Sequence, residues 1–304
     1  MLTQEHVLKL KDAGLNEIRM DISAADYGLK KAALAVGTIP CVTVEIPAVP
    51  EDRERLASLL PVMQDMGINH LHLHQLRLTP HNRSKFKNRP YTFLHGEKVT
   101  VLESELTALA LIREASSQRL TLPINYCSFV YKHRYQRAAA RRRNAGLVLK
   151  DHESITENGY IRALALQGPW EIVAPIIQHL DDSGAERRLW LLSTNKDRLY
   201  FHPQLWPMID LQGCDLQVSY AEAGLCPHIS YRHYFKEIRI NPDKRLYVEK
   251  RPVIRKTCLD KDQQNWFGAH FLNDQSRILS HAIPVGLQGL AQYEIIAPGL
   301  QDYF

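Results

Sequence analysis

The chain has no two cysteines close together. Its five, Cys41, Cys127, Cys214, Cys226 and Cys258, are scattered, with no CxxC or CxxxCxxC spacing. That argues against a self-contained thiolate site for zinc or for an iron–sulfur cluster. The chain also lacks any run of about 18 apolar residues of the kind that spans a bilayer. Its opening MLTQEHVLKL has no apolar segment of the secretory type. A cytoplasmic protein with reduced thiols is therefore expected. Internal repeats and low-complexity tracts are missing too.

Acidic residues are missing from one place. Between Ala115 and Lys150 there are eight Lys/Arg and no Asp or Glu. This local +8, set against a formal +5 for the whole chain, leaves the remainder at −3. The basic character is confined to one segment, which makes it a candidate partner surface. Hydrophobic content of 45% and charged content of 23% over 304 residues fit one large globular domain or two ordinary ones.

What is present is an alternation of helical and extended segments. Thr3 can cap a helix in which Val7, Leu10 and Ala13 follow at helical spacing and Gly14 is the stop. A second helix is expected over residues 26–36 and a third over 51–66. The third carries Leu56, Leu59, Leu60, Met63 and Met66 as one apolar stripe. Strands are expected at 15–23, 39–50 and 68–80, and strand after helix predicts a parallel α/β sheet. Residues 81–96 form an irregular basic excursion. A helix over 102–116, a strand over 120–126 and a basic helix over 131–144 follow. Past residue 158 the pattern becomes one helix (170–180) and β-like segments at 188–193, 215–220, 234–240, 246–249 and 293–297, with a hairpin turn at 241–244. Two domains are expected: 1–158, the later half of a partial (β/α) TIM-like barrel, and 159–304, a smaller, largely antiparallel α+β domain.

Ligands in parallel α/β folds collect at the carboxyl ends of strands. Arg19, Asp21 and Ser23 alternate at the end of the first strand, Thr43 and Glu45 on the second, and His70, His72 and His74 on the third. Histidines two apart on a strand are separated by about 6.6 Å, so the three do not share one metal ion. They read as interior or ligand-facing groups. Arg19–Asp21–Ser23 reads either as a polar barrel filling or as a site for a ligand with hydroxyl and carboxylate groups. Cys127, just past the fourth strand, is either a small buried residue or a reactive thiol. Arg134, Arg137 and Arg141 at i, i+3 and i+7, with Tyr131 and Tyr135 interleaved, read as a solvated face or an anion-binding stripe.

The stretches LTQEHVLKLKDAGLNEIRMDIS, IPCVTVEIPAVPED and GINHLHLHQLRLTPHN resemble the radical S-adenosylmethionine superfamily, in particular proteins related to activating enzymes of pyruvate formate-lyase. Weaker likeness lies in NYCSFVYKHRYQ and HYFKEIRINPDKRLYVEKRPV. The resemblance implies a barrel on which a four-iron cluster holds S-adenosylmethionine, whose reductive cleavage gives a 5′-deoxyadenosyl radical for hydrogen abstraction. It places Asp21 and Ser23, with Arg19, against the cofactor's ribose or methionine part. Glu45 falls where the next strand packs near the cofactor, and His72 and His74 where a later strand closes over the adenosine. The family's CxxxCxxC and the glycine-rich strand that follows it are missing. A truncated reading frame, a split enzyme whose other half is a separate polypeptide, and a binding domain without catalysis each fit. The working expectation is the first, with the chain inactive alone. The rival is a non-catalytic module that binds RNA or an acidic protein through helix 131–144. An open edge at the first strand also invites a homo-oligomer.

Overall fold

Thr3 caps α1 (Gln4–Asp12) as expected: its Oγ1 accepts from His6 N at 3.3 Å. Gly14, at φ +81°, then turns the chain into β1 (Glu17–Met20). The computed structural model describes residues 2–96, 98–273 and 283–297, and two units divide between Lys132 and His133. The first continues with α2 (Lys30–Ala35), β2 (Cys41–Pro47), α3 (Arg53–Met66) and β3 (His70–His74). An excursion holds α4 (Arg83–Phe86) and the short pair β4 (Phe93–Leu94) and β5 (Thr100–Val101). Then come α5 (Leu102–Ser117), β6 (Ile124–Cys127) and α6 (Phe129–Tyr131).

The main sheet runs β1-β2-β3-β6, all parallel. Among the described residues it is an open four-stranded sheet with β1 and β6 as its edges. Val42, Val44 and Ile46 of β2 and Leu71 and Leu73 of β3 share a core with Leu56, Leu60 and Met63 of α3 and Leu111 of α5. Strand alternation then turns Glu45, His70, His72 and His74 to the opposite face.

The strands are shorter than their sequence pattern. β1 stops at Met20 because Asp21 Oδ1 accepts from Ser23 N at 2.9 Å and Ser23 Oγ at 2.5 Å, an Asx turn. Asp26 and Tyr27 sit at φ +49° and +55°, which delays α2 from residue 26 to Lys30. β3 stops at His74. Two residues on, Leu76 N donates to Ser104 Oγ (2.8 Å), and that fully buried hydroxyl donates to Ala48 O (2.7 Å). Ser104→Ala strips both partners from a buried site and is expected to cost about 1–3 kcal/mol in denaturant unfolding; a loss under about 0.5 kcal/mol would contradict this role.

The second unit holds α7 (Arg137–Val148), β7 (Glu153–Ile155), β8 (Ile161–Gln167), α8 (Trp170–Asp182), β9 (Trp190–Leu192), β10 (Arg198–Phe201), β11 (Asp215–Cys226), β12 (Phe235–Arg239), β13 (Arg245–Leu259), α9 (Lys261–Phe267) and α10 (Val285–Glu294). Its sheet runs β12-β13-β11-β8-β10-β9, antiparallel throughout, with β7 on β8. Asn241 Oδ1 closes the expected β12–β13 hairpin by accepting from Asp243 N and Lys244 N. Residues 293–297 are not a strand: Tyr293 and Glu294 finish α10, on which Leu287, Leu290 and Glu294 form one buried helical stripe. Ala145 and Val148 of α7 pack on Ile161, Ala221 and Val248, so the basic helix belongs to the second unit and the division precedes residue 158. No helix among the described residues is long and apolar enough to cross a membrane.

Candidate functional site

The polar face of the parallel sheet carries a chain of charge across three strands. Register sets Arg19 beside Thr43, Glu45 beside His72, Pro47 beside His74, and His74 beside Cys127. Glu17 accepts from Arg19 Nε at 3.0 Å and from Thr43 Oγ1 at 2.8 Å. The Arg19 guanidinium also lies 3.5 Å from Glu45 Oε2, and Glu45 Oε1 meets His74 Nε2 at 2.5 Å. Arg19's hydrogen bond holds the Glu17 carboxyl below its ordinary range. Burial pushes Glu45 up, but the bond from His74 and the nearby positive charges outweigh it, so this carboxyl too titrates low. The result is a chain of ion pairs and hydrogen bonds, Glu17–Arg19–Glu45–His74, in which both carboxylates stay charged at neutral pH.

The three histidines serve different neighbours. His70 Nδ1 lies 3.4 Å from Cys41 Sγ, His74 bonds Glu45, and His72 packs edge-on to His70 with ring centres 6.2 Å apart. Among the described residues no group of three or more His, Cys, Asp or Glu is placed to hold a metal ion. Burial, and then the charge on Arg19, pull the His72 pKa below its ordinary value of 6.5. The unfolded chain therefore takes up a proton before the native one does, so stability falls as pH drops through 6.5 and levels once native His72 is itself protonated. His72→Gln is expected to flatten that slope in unfolding midpoints measured from pH 7.5 to 5. An unchanged slope would show that His72 is not its source.

Asp21 and Ser23 lie beyond β1 and bond each other rather than continuing the Arg19 face. Cys127 ends β6 inside the fold, 3% exposed, with Sγ 3.9 Å from Ser128 O. The basic helix is wound as a π-helix over Lys132–Gln136, which breaks the single α-helical stripe. Arg134 is buried and donates to Ala297 O at 2.9 Å. Arg141 forks onto the Asn158 carbonyl and side chain and stacks over Tyr160, and Arg142 donates to Glu157 O. These three arginines hold the second unit together.

The sequence pattern does not reveal a cavity of about 440 Å³ at the carboxyl end of β3, lined by His74, Gln75, Arg77, Asn82, Phe129 and Lys132 among others. Gln75 Oε1 accepts from Phe129 N at 3.1 Å and ties the two sides together. Arg77 and Lys132 stand 55 residues apart in the chain. Only the β3–β6 pairing brings their segments together, and no local spacing announces it.

No family model matches the chain, and no solved structure matches it. Over 170 residues it is 27% identical to a protein of Methanocaldococcus jannaschii that carries the provisional name glycyl-radical enzyme activating enzyme. The match covers 53% of this chain and 44% of that protein, so the chain spans less than half of the relative. The likeness is distant, and it supports the radical S-adenosylmethionine resemblance at the level of the superfamily.

Proposed function

We propose that this chain is a radical S-adenosylmethionine-type protein whose parallel sheet is part of a (β/α) barrel and binds S-adenosylmethionine at its carboxyl edge. The observation that carries this reading is the Arg19–Glu45–His74 chain of polar contacts across β1, β2 and β3, on the face turned away from the helices. The distant likeness supports it.

The residues present fit the cofactor. Asp21 uses Oδ1 within its own turn, which leaves Oδ2 to accept from a ribose hydroxyl, with Ser23 beside it. Glu45 is kept charged and complements a cationic ligand. His72 and His74 border the same edge, and Arg19 suits the ligand's carboxylate. Bound S-adenosylmethionine, given one electron by a cluster that these residues do not hold, would supply a 5′-deoxyadenosyl radical for hydrogen abstraction. This chain's part is to bind and orient it.

The described residues do not fit a four-iron cluster. Cys41 and Cys127 lie at opposite ends of β2 and β6 with β3 between them, six residues along and two strands across, about 20 Å apart. The other three cysteines fall in the second unit. The thiolates come from elsewhere in this reading, for instance from a companion polypeptide, and edge strand β1 offers a place for one to pair. Arg134, Arg141 and Arg142 are committed internally, so no specific observation favours the RNA-binding reading.

Two experiments test the proposal. Anaerobic reconstitution of the chain with iron and sulfide is expected to give no stoichiometric cluster absorbance; a full four-iron cluster would overturn the division of labour. In equilibrium dialysis with S-adenosylmethionine, Glu45→Gln is expected to weaken binding about tenfold, or about 1.4 kcal/mol. Equal affinity in the variant would remove Glu45 from the site.

A further inference from the structure

We propose that the cavity beyond β3 binds a small hydroxylated oxyanion, a phosphate ester or a hydroxy acid, with Arg77 and Lys132 holding the anion and His74 Nδ1 accepting from the ligand's hydroxyl.

Three observations converge on this ligand. The cavity, about 440 Å³, has the size of a small-molecule site. Its lining includes two cations and no carboxylate. Among the described residues neither Arg77 nor Lys132 has an acid within ion-pair distance. Both instead border the Phe129 ring, 5.5 Å and 5.6 Å from its centre. Two like charges gathered around one ring repel each other, and an oxyanion between them removes that repulsion.

The loop that presents Arg77 is already fixed. Asn82 Oδ1 accepts from Thr79 N at 2.7 Å, and Asn82 Nδ2 donates to Arg77 O at 2.9 Å. A site ordered in advance loses less freedom when a ligand enters.

His74 supplies the third observation. Its Nδ1 is buried without a hydrogen-bond partner among the described residues, while Nε2 is taken by Glu45. In the neutral tautomer that donates Nε2–H to Glu45, Nδ1 carries a lone pair and needs a donor. A hydroxyl beside the anionic group meets that need, and Phe129 offers an apolar wall to the ligand's carbon skeleton.

The site borders the proposed S-adenosylmethionine edge and shares His74 with it, but it rests on the cavity, the cations and the orphan nitrogen rather than on that reading. Calorimetric titration of the full chain with glycerol 3-phosphate, glycerate, inorganic phosphate and glycerol tests it. Glycerol 3-phosphate or glycerate is expected to bind at least tenfold more tightly than phosphate, and glycerol not measurably; the two arms separate phosphate from carboxylate recognition. Arg77→Ala and Lys132→Ala should each weaken the tighter ligand at least tenfold. His74→Phe should reduce it to the affinity of phosphate and leave phosphate itself unchanged. Unaltered binding in the folded Arg77→Ala/Lys132→Ala double variant, confirmed by circular dichroism, would overturn the proposal. So would wild-type protein that takes up a single-stranded oligonucleotide and none of the small anions. S-adenosylmethionine titrated in parallel reports on the other reading: its failure to bind leaves this site standing, and the reverse holds.

Discussion

Glu294→Ala is expected to destabilise the second unit by about 3–5 kcal/mol, the usual consequence of leaving a buried charge without its counter-ion. Arg162 and Glu294 have side chains only 3% and 1% exposed and lie 2.6 Å apart. Glu294 also accepts from Tyr220 Oη at 2.6 Å, and Arg162 reaches Phe271 O at 3.3 Å and Ser154 Oγ at 3.2 Å. Burial, with Glu294 beside it, raises the Tyr220 pKa well above its ordinary value, so its proton stays in place to donate. The alanine variant removes the only described carboxylate paired with a guanidinium that water cannot reach. Glu294→Gln keeps a bond to Tyr220 and loses the charge, so it should fall between wild type and alanine. Replacing Arg162 and Glu294 together by Met and Leu should recover most of the loss, because the desolvation cost goes with the pair. Urea unfolding followed by far-ultraviolet circular dichroism reads all three. A loss under about 1 kcal/mol for Glu294→Ala would contradict the buried-pair account.

Gly159→Ala is expected to cost about 2–5 kcal/mol. Gly159 has φ +82°, where a side chain costs about 1–2 kcal/mol. A Cβ there would also stand 2.5 Å from Ala138 O, 2.8 Å from Arg141 Cβ and 2.9 Å from Arg142 N, all on α7. Overpacking of that kind adds about 1–3 kcal/mol. Gly184 is the control: its φ of +69° is similar, and nothing lies within 4 Å of its Cβ position. Gly184→Ala should therefore cost only the conformational part. Equal losses in the two variants, by thermal and denaturant unfolding, would show that the approach of α7 to the 156–160 turn is not tight.

The parts of the fold that follow from local period are those that the sequence pattern shows. The Leu56–Leu60–Met63 stripe of α3 and the Leu71/Leu73 alternation of β3 both require one buried face, and one face is what the core uses. The Thr3 cap and the Asn241 turn are equally local, each bond closing within three residues. What escapes the pattern is where a competing bond ends an element or rewinds it. Asp21 leaves its strand to cap a turn, and Lys132–Gln136 widens into a π-helix. The run at 293–297 looks extended by composition, yet Glu294 is drawn into a helix facing Arg162, a partner 132 residues away. The same reason separates the two halves of the candidate site. Glu45 and His74 are each legible as strand-end polar residues. The orphan nitrogen and the Arg77–Lys132 pair exist only once β3 and β6 lie side by side.

We propose that the carboxyl edge of the parallel sheet binds S-adenosylmethionine. Hydrogen–deuterium exchange of the full chain with and without S-adenosylmethionine reads that edge directly. Slowed exchange confined to residues 19–25, 45–49 and 72–77, saturating with ligand and lost in Glu45→Gln, is the predicted result. Unchanged exchange across these three segments at saturating ligand, or protection confined to the second unit, would contradict it.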